Sequence, residues 1–294
     1  MPDPSLFDRD FLRKLEYLHI VSKRVFAGQF RAERRARKLG SGLEFADHRA
    51  YSPGDDFRHV DWTAYQRFEK LLLRLFEEEQ DLPIYLFVDR SRSMSTGTPS
   101  KIGCARQIAA ALCYIGLAHL DRVSVIGYSN TLDRELPAQR GRGRIFKVFS
   151  FLGDLEPGDE TDCREAFKRF CARERPRGVA VVISDFLDPA GFERGLDVLR
   201  FFRHDVFAVH VMAREEMEPD LHGEHDLVDV ETGERFDVAL TPAMVAAYRR
   251  AFTEFSAEIA RYCAKHRFGY LQAITEQPIE DAILRVFRQG RFLT

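Results

Sequence analysis

Leu82-Pro83-Ile84-Tyr85-Leu86-Phe87-Val88-Asp89-Arg90-Ser91-Arg92-Ser93-Met94 is the stretch that decides how this chain is read. An unbroken apolar run ends in a carboxylate, and two hydroxyls follow at alternate positions. Such a run reads as a strand buried on both faces, as in a parallel sheet. The polar residues then fall on the exposed loop at the strand's carboxyl end, where open α/β sheets bind ligands. Asp-x-Ser-x-Ser offers oxygen donors and one negative charge. That suits a hard divalent cation such as Mg²⁺ and does not suit zinc, which takes His and Cys.

Two further places point to the same edge. Val179-Ala180-Val181-Val182-Ile183-Ser184-Asp185 is a second apolar run ending in a carboxylate, and Thr161 sits in the turn-rich loop Gly158-Asp159-Glu160-Thr161-Asp162 before a predicted helix. Parallel neighbours end on one sheet edge, so Asp89 and Asp185 are expected to converge. A plainer reading is a polar strand-end loop that caps the following helix. The five residues together resemble the metal-ion-dependent adhesion site of von Willebrand factor A domains. That resemblance implies Ser91, Ser93 and Thr161 as hydroxyl ligands, with Asp89 and Asp185 acting directly or through water. It also implies a partner's Asp or Glu in the open coordination position, with Mg²⁺, Mn²⁺ or Ca²⁺ as the ion.

Outward from these runs the pattern alternates. A helix is expected over about 99–119, with Thr98 as N-cap and Pro99 at its first position. Strand 122–128, an extended piece near 131–136, and helices over 143–153 and 162–173 follow. Strand 179–185, helix 189–202, strand 205–212, a hairpin over 226–238, helix 241–265, strand 268–274 and helix 279–289 complete the chain. Strands alternating with helices predict a doubly wound, mainly parallel α/β sheet with a β-hairpin insertion. Ahead of it, 8–25 reads as a helix and 41–66 as turns, while 70–77 is extended or helical. These make residues 1–80 an N-terminal extension packed on a main domain of residues 81–294.

Composition narrows the function classes. The 294 residues are 45% hydrophobic, enough for a sizeable core. A net charge of −2 with 31% charged residues gives no footprint for nucleic-acid binding. Five cysteines without a C-x-x-C pair favour a reduced setting. Met1 to Asp8 has no signal-peptide character, and Ile108–Leu120 is too short to span a bilayer. A cytoplasmic protein is expected, with at most peripheral membrane contact. The basic run Arg31–Lys38 reads as a solvated helix end or loose arm, with contact to acidic lipid or nucleic acid as the alternative.

A second constellation lies upstream. Glu44-Phe45-Ala46-Asp47-His48-Arg49-Ala50-Tyr51-Ser52-Pro53-Gly54-Asp55-Asp56-Phe57-Arg58-His59-Val60-Asp61-Trp62 is dense in charges and turn formers. Pro53-Gly54 suits a type II turn, and Asp55, Asp56 and Asp61 have Arg49, Arg58 and Arg67 as candidate partners. Arg49, Asp55, Asp56, Arg58, Asp61 and Trp62 therefore read as an ion-pair clamp or a docking surface. This pattern, followed by the adhesion-type loop, resembles the bacterial family called domain of unknown function 58 over roughly residues 40–240. The resemblance implies a von Willebrand A-like fold. It also implies a MoxR-type AAA+ ATPase as partner, acting together to assemble or mature a client protein.

Enzyme motifs are missing. There is no phosphate-cradling glycine loop and no Gly-x-Ser-x-Gly elbow. A dehalogenase-type phosphatase needs a second aspartate two residues after the first, where Ser91 stands. The reading is a non-enzymatic, metal-dependent interaction module. The alternative is a divalent-metal phosphoesterase using Asp159, Asp162 or Asp188 as a general base.

Overall fold

The computed structural model describes residues 7–26, 39–40, 44–53, 55–77, 83–130, 132, 134–158, 161–219, 223–229 and 234–288. The basic run 31–38, Gly54 of the predicted turn, Asp159, Glu160, His222 and the hairpin turn 230–233 lie outside them. The chain divides into two compact units, Met1–Val25 with Leu82–Phe292, and Phe26–Asp81.

The first correction to the sequence reading concerns this division. Residues 1–25 do not join 26–80 in one extension but cluster with the main unit. The cause is the amphipathic helix α1 (Arg9–Phe26), whose Phe11, Leu15 and Leu18 are buried. Phe11 meets Phe149 edge-on, and Lys14 reaches Glu280 at 3.3 Å, so the stripe is satisfied within that unit.

The second correction concerns residues 41–66, which hold more than turns. β1 (Leu39–Gly40), β2 (Glu44–Ala50) and β3 (Leu72–Glu77) form an antiparallel sheet in the order β1-β3-β2. A short helix, α2 (Trp62–Phe68), lies between β2 and β3. β2 lacks an alternating apolar pattern because its register with β3 shifts between Phe45 and Asp47.

In the main unit a six-stranded sheet runs in the order β11-β8-β7-β4-β5-β6. Its strands are β4 (Ile84–Asp89), β5 (Val123–Tyr128), β6 (Arg134–Gln139), β7 (Val179–Ser184), β8 (Asp205–Met212) and β11 (Gly269–Ile274). Every neighbouring pair is parallel except β5–β6. β4, β5 and β7 are buried at every residue, which is why their sequences are apolar without alternation. The helices are α3 (Lys101–Ala118), α4 (Ile145–Gly153), α5 (Cys163–Cys171), α6 (Phe192–Phe201), the single turn α7 (Arg214–Met217), α8 (Pro242–His266) and α9 (Ile279–Arg288). β9 (Gly223–Val228) and β10 (Arg235–Leu240) pair as a separate antiparallel hairpin.

The chain leaves β4 for β5 on one side and returns to β7 on the other, so the order reverses at β4. At such a point the connections diverge and leave a crevice outside the strand ends. One face of the sheet holds Phe87, Phe167 and Phe170, with Phe87 4.9 Å and 4.8 Å from the other two ring centres. α3 contributes Ala105, Ile108, Ala109 and Leu112, all fully buried. α3 starts at Lys101 and not at Pro99, because Ser100 takes the N-cap and its hydroxyl accepts from the Gly103 N–H at 3.3 Å. Among the described residues no helix is long and apolar enough to cross a membrane.

Candidate metal centre

The reversal of strand order brings the carboxyl ends of β4 and β7 side by side, in register from Ile84↔Val179 to Val88↔Ile183. Asp89 is the last residue of β4, and Asp185 follows β7 directly. The chain then turns sharply at both ends. After β4 the backbone forms the 3₁₀ turn Arg92–Ser95, closed by Met94 N–H to Ser91 C=O at 3.1 Å. After β7, Phe186 adopts φ 59°, a left-handed conformation that costs a bulky residue energy and persists only where its surroundings impose it. The Phe186 N–H donates to Ser184 Oγ at 2.8 Å, and Leu187 N–H donates to Asp185 Oδ1 at 3.1 Å.

These turns gather the oxygens. Asp89 Oδ1 accepts from Ser91 N–H at 2.9 Å, and its Oδ2 accepts from the Ser184 hydroxyl. Ser91 Oγ and Ser93 Oγ lie 3.0 Å apart. Thr161 is half-buried and lines one small cavity together with Ser184 and Asp188. Ser184 thus lines the same cavity as Thr161 and bonds Asp89 through its hydroxyl. The loop is not exposed as expected: Asp89, Ser91 and Asp185 are buried. The cause is dense local bonding, since both oxygens of each aspartate are engaged.

Electrostatically the site is not purely acidic. Lys101, in the first turn of α3, is 0% exposed and donates to Asp185 Oδ2 at 2.8 Å. Its ammonium also contacts Glu216, which accepts from Ala213 N–H at 3.1 Å and from the Thr96 hydroxyl at 3.3 Å. Burial pushes Asp89 up to about 7. The nearby charge of Asp185 adds to that shift, and hydrogen bonds from Ser184 and Ser91 oppose it. Burial also lowers His210 on β8 to about 4, so it stays neutral beside Asp185 while its Nδ1 meets Tyr270 Oη at 3.1 Å. Arg90 is buried, and its Nη1 donates to Glu156 C=O at 3.2 Å. Arg92 is exposed.

Among the described residues no three His, Cys, Asp or Glu side chains gather as a metal-ligating group. A cation here would rest on hydroxyls, and the donor set fits one. Two serine oxygens sit side by side at a strand-end crevice. Two carboxylates, Asp185 and Glu216, share the one Lys101 ammonium, and Asp89 stands behind the first serine through the Ser91 N–H.

Ser184, Lys101 and Glu216 escaped the sequence reading. Ser184 was legible as the residue before Asp185. Lys101 and Glu216 stand 115 positions apart and carry no local signal of pairing.

The upstream charges sort into separate pairs. Asp55 accepts from Arg49 Nη2 at 2.7 Å, and Asp56 pairs with Arg58 at 2.8 Å. Asp61 does not take Arg67. It pairs with Arg74 at 3.0 Å and His48 at 2.9 Å, and caps α2 through the Thr63 and Ala64 N–H groups. The Arg74 contact is the main cause of its lowered carboxyl pKa. Trp62 is exposed. All five cysteines are free, and burial raises each thiol, which leaves none poised as a thiolate.

A family model described as Protein of unknown function DUF58 matches residues 47–259. An uncharacterized protein of Mycobacterium bovis is 29% identical over 253 residues, 84% of this chain and 79% of its own. An uncharacterized protein of Mycobacterium avium is 34% identical over 130 residues, 43% of this chain and 76% of its own. Among solved structures, an aerotolerance-related membrane protein from Bacteroides fragilis NCTC 9343 aligns over 71% of this chain and 99% of its own, at 16% identity and TM-score 0.45. That likeness is too slight to carry fold or function across, and the fold stands on the strand order itself.

Proposed function

The chain belongs to the family described as Protein of unknown function DUF58, and from that premise and the strand-end loop we propose a metal-dependent protein-interaction module of von Willebrand A-like type. Its partner is a MoxR-type AAA+ ATPase, its setting the cytoplasm, and its role the assembly or maturation of a client protein. The observation that carries this reading is the paired hydroxyls of Ser91 and Ser93, 3.0 Å apart, backed by Asp89 through the Ser91 N–H. Ser91, Ser93 and Thr161 would hold Mg²⁺, Mn²⁺ or Ca²⁺, with Asp89 and Asp185 behind them. When bound, such an ion offers an electrophilic position for a partner's carboxylate. Asp89 and Ser184 orient the first serine, and Lys101 keeps Asp185 in place.

The hydrolase alternative is weaker for a specific reason. Asp162 accepts from Glu165 N–H at 2.9 Å, and Asp188 accepts from Cys163 and Ala190 N–H at 2.9 and 2.8 Å. Each carboxylate is oriented by the backbone N–H groups it caps, Asp162 through one oxygen and Asp188 through both, whereas a general base must be aimed at its substrate.

Calorimetric titration with Mn²⁺ and surface-plasmon binding to a purified MoxR-type ATPase test the proposal together. Wild type should take up one Mn²⁺ and bind the ATPase or an ATPase–client complex in Mg²⁺ but not in EDTA. Thr161→Ala should lose both while keeping its melting temperature, since the residue is half-buried and Asp162 is the cap of the helix that follows. Partner binding unchanged by EDTA would overturn metal dependence, and turnover of a generic phosphoester would favour the hydrolase.

A further inference from the structure

We propose that the groove between α5 and α6 is a docking site for an acidic, apolar-bearing peptide segment of a partner protein. It lies within the main unit, is open to solvent, and encloses about 850 Å³. Its lining carries four cations, Arg164, Lys168, Arg194 and Arg200, against one carboxylate, Asp197, a net +3 on a chain whose total is −2.

The pairing of these charges matters more than their count. Arg200 is spent on Asp197 at 2.8 Å, and Asp197 also accepts from the Tyr262 hydroxyl at 2.7 Å. Among the described residues Lys168 has one ion contact, to Glu165, 3.9 Å away across one helical turn. Arg164 and Arg194 are exposed and enter no ion pair among the described residues. Arg173 and Arg175 are held by Glu135 and Arg177 by Asp205, so these neighbours are already engaged. Arg164 and Arg194 line one groove together and are available to an anionic ligand.

The second observation is apolar. Phe201 and Phe202 close the groove at the end of α6, 80% and 46% exposed, with ring centres 5.4 Å apart. A single exposed apolar residue needs no explanation. Two adjacent phenylalanines beside uncompensated arginines have the composition of a binding hot spot, where aromatics and Arg dominate. The matching ligand alternates carboxylates with leucine or phenylalanine. A nucleic-acid strand fits less well, because phosphate tracking needs a continuous basic path and Asp197 interrupts this one.

The probe is a short fluorescein-labelled peptide that alternates glutamate pairs with leucine and phenylalanine. Its anisotropy is followed with the full chain at low and physiological salt. Wild type should bind, and added salt should weaken it. Arg164→Glu with Arg194→Glu should weaken binding by about tenfold or more, and Phe201→Ser by about tenfold, each about 1.4 kcal/mol per decade. These side chains are exposed, so circular dichroism and melting should stay as in wild type. A peptide with glutamine for glutamate, and one with serine for its apolar residues, should each bind worse. Equal binding by either control peptide, or no effect of the variants, overturns the proposal. So does an oligothymidylate strand that binds more tightly and is lost in the same variants. EDTA should have no effect, which separates this groove from the metal reading.

Discussion

Replacing Lys101 with Met isolates what holds the strand-end site together. Methionine keeps much of the volume and removes the charge. Lys101 is 0% exposed, and its two partners differ: the Asp185 side chain is 4% exposed and that of Glu216 23%. Once the ammonium is gone, Glu216 can rotate toward water at modest cost. Asp185 cannot, because its other oxygen is held by the Leu187 N–H. An orphaned buried carboxylate costs about 3–5 kcal/mol. For a unit of about 150–250 residues each kcal/mol moves the melting temperature by about 2–4 °C, so Lys101→Met should melt about 6–20 °C lower. Differential scanning calorimetry in EDTA reads this directly. Adding Asp185→Asn should recover most of the loss, since the second change removes the uncompensated charge, while Glu216→Gln alone should cost less than Lys101→Met. A Lys101→Met protein that melts within about 2 °C of wild type, the range of an ordinary surface change, would refute the buried triad.

Asp89 should make stability pH-dependent. Its folded carboxyl is raised to about 7 from 3.8, so the native state holds the extra proton between those values. Its contribution is fully present below about 4 and is lost as pH rises through about 7, and chemical denaturation of Asp89→Asn in EDTA should flatten that slope. Val182→Asp should prevent folding, seen as loss of the cooperative melt, because it places an unpaired charge at a fully buried position between β4 and β8. Asp61→Ala should loosen α2 and the β2–β3 region while leaving the main unit intact, since it removes two capping bonds and the Arg74 pair at once. Hydrogen exchange should show faster amides in 61–74 with those of β4 and β7 unchanged, and Asp55→Ala should change them less, its pair with Arg49 being more exposed.

The parallel α/β architecture is legible in the sequence because its cause is local. A strand covered on both faces must be apolar at every position, and Ile84–Val88 and Val179–Ile183 carry that signature whatever surrounds them. A carboxylate at the end of each run then follows onto one edge from parallel pairing alone, so Asp89 and Asp185 could be placed together from two short segments. Other features depend on contacts that no window of sequence contains. β2 is a strand only because β3 pairs with it across a register shift, and its own residues lack the period of a half-buried strand. α1 looks from its stripe like any amphipathic helix, and which unit covers Leu15 is a tertiary choice. Lys101 reads as a polar residue at a helix start, a position normally left to water. Burying it required Asp185 from just after β7 and Glu216 from beyond β8 to arrive at the same point. The strands and the edge where they end are written in local runs of residues. The charge balance of that edge and its burial are not, because both arise from side chains brought together by folding across more than a hundred residues.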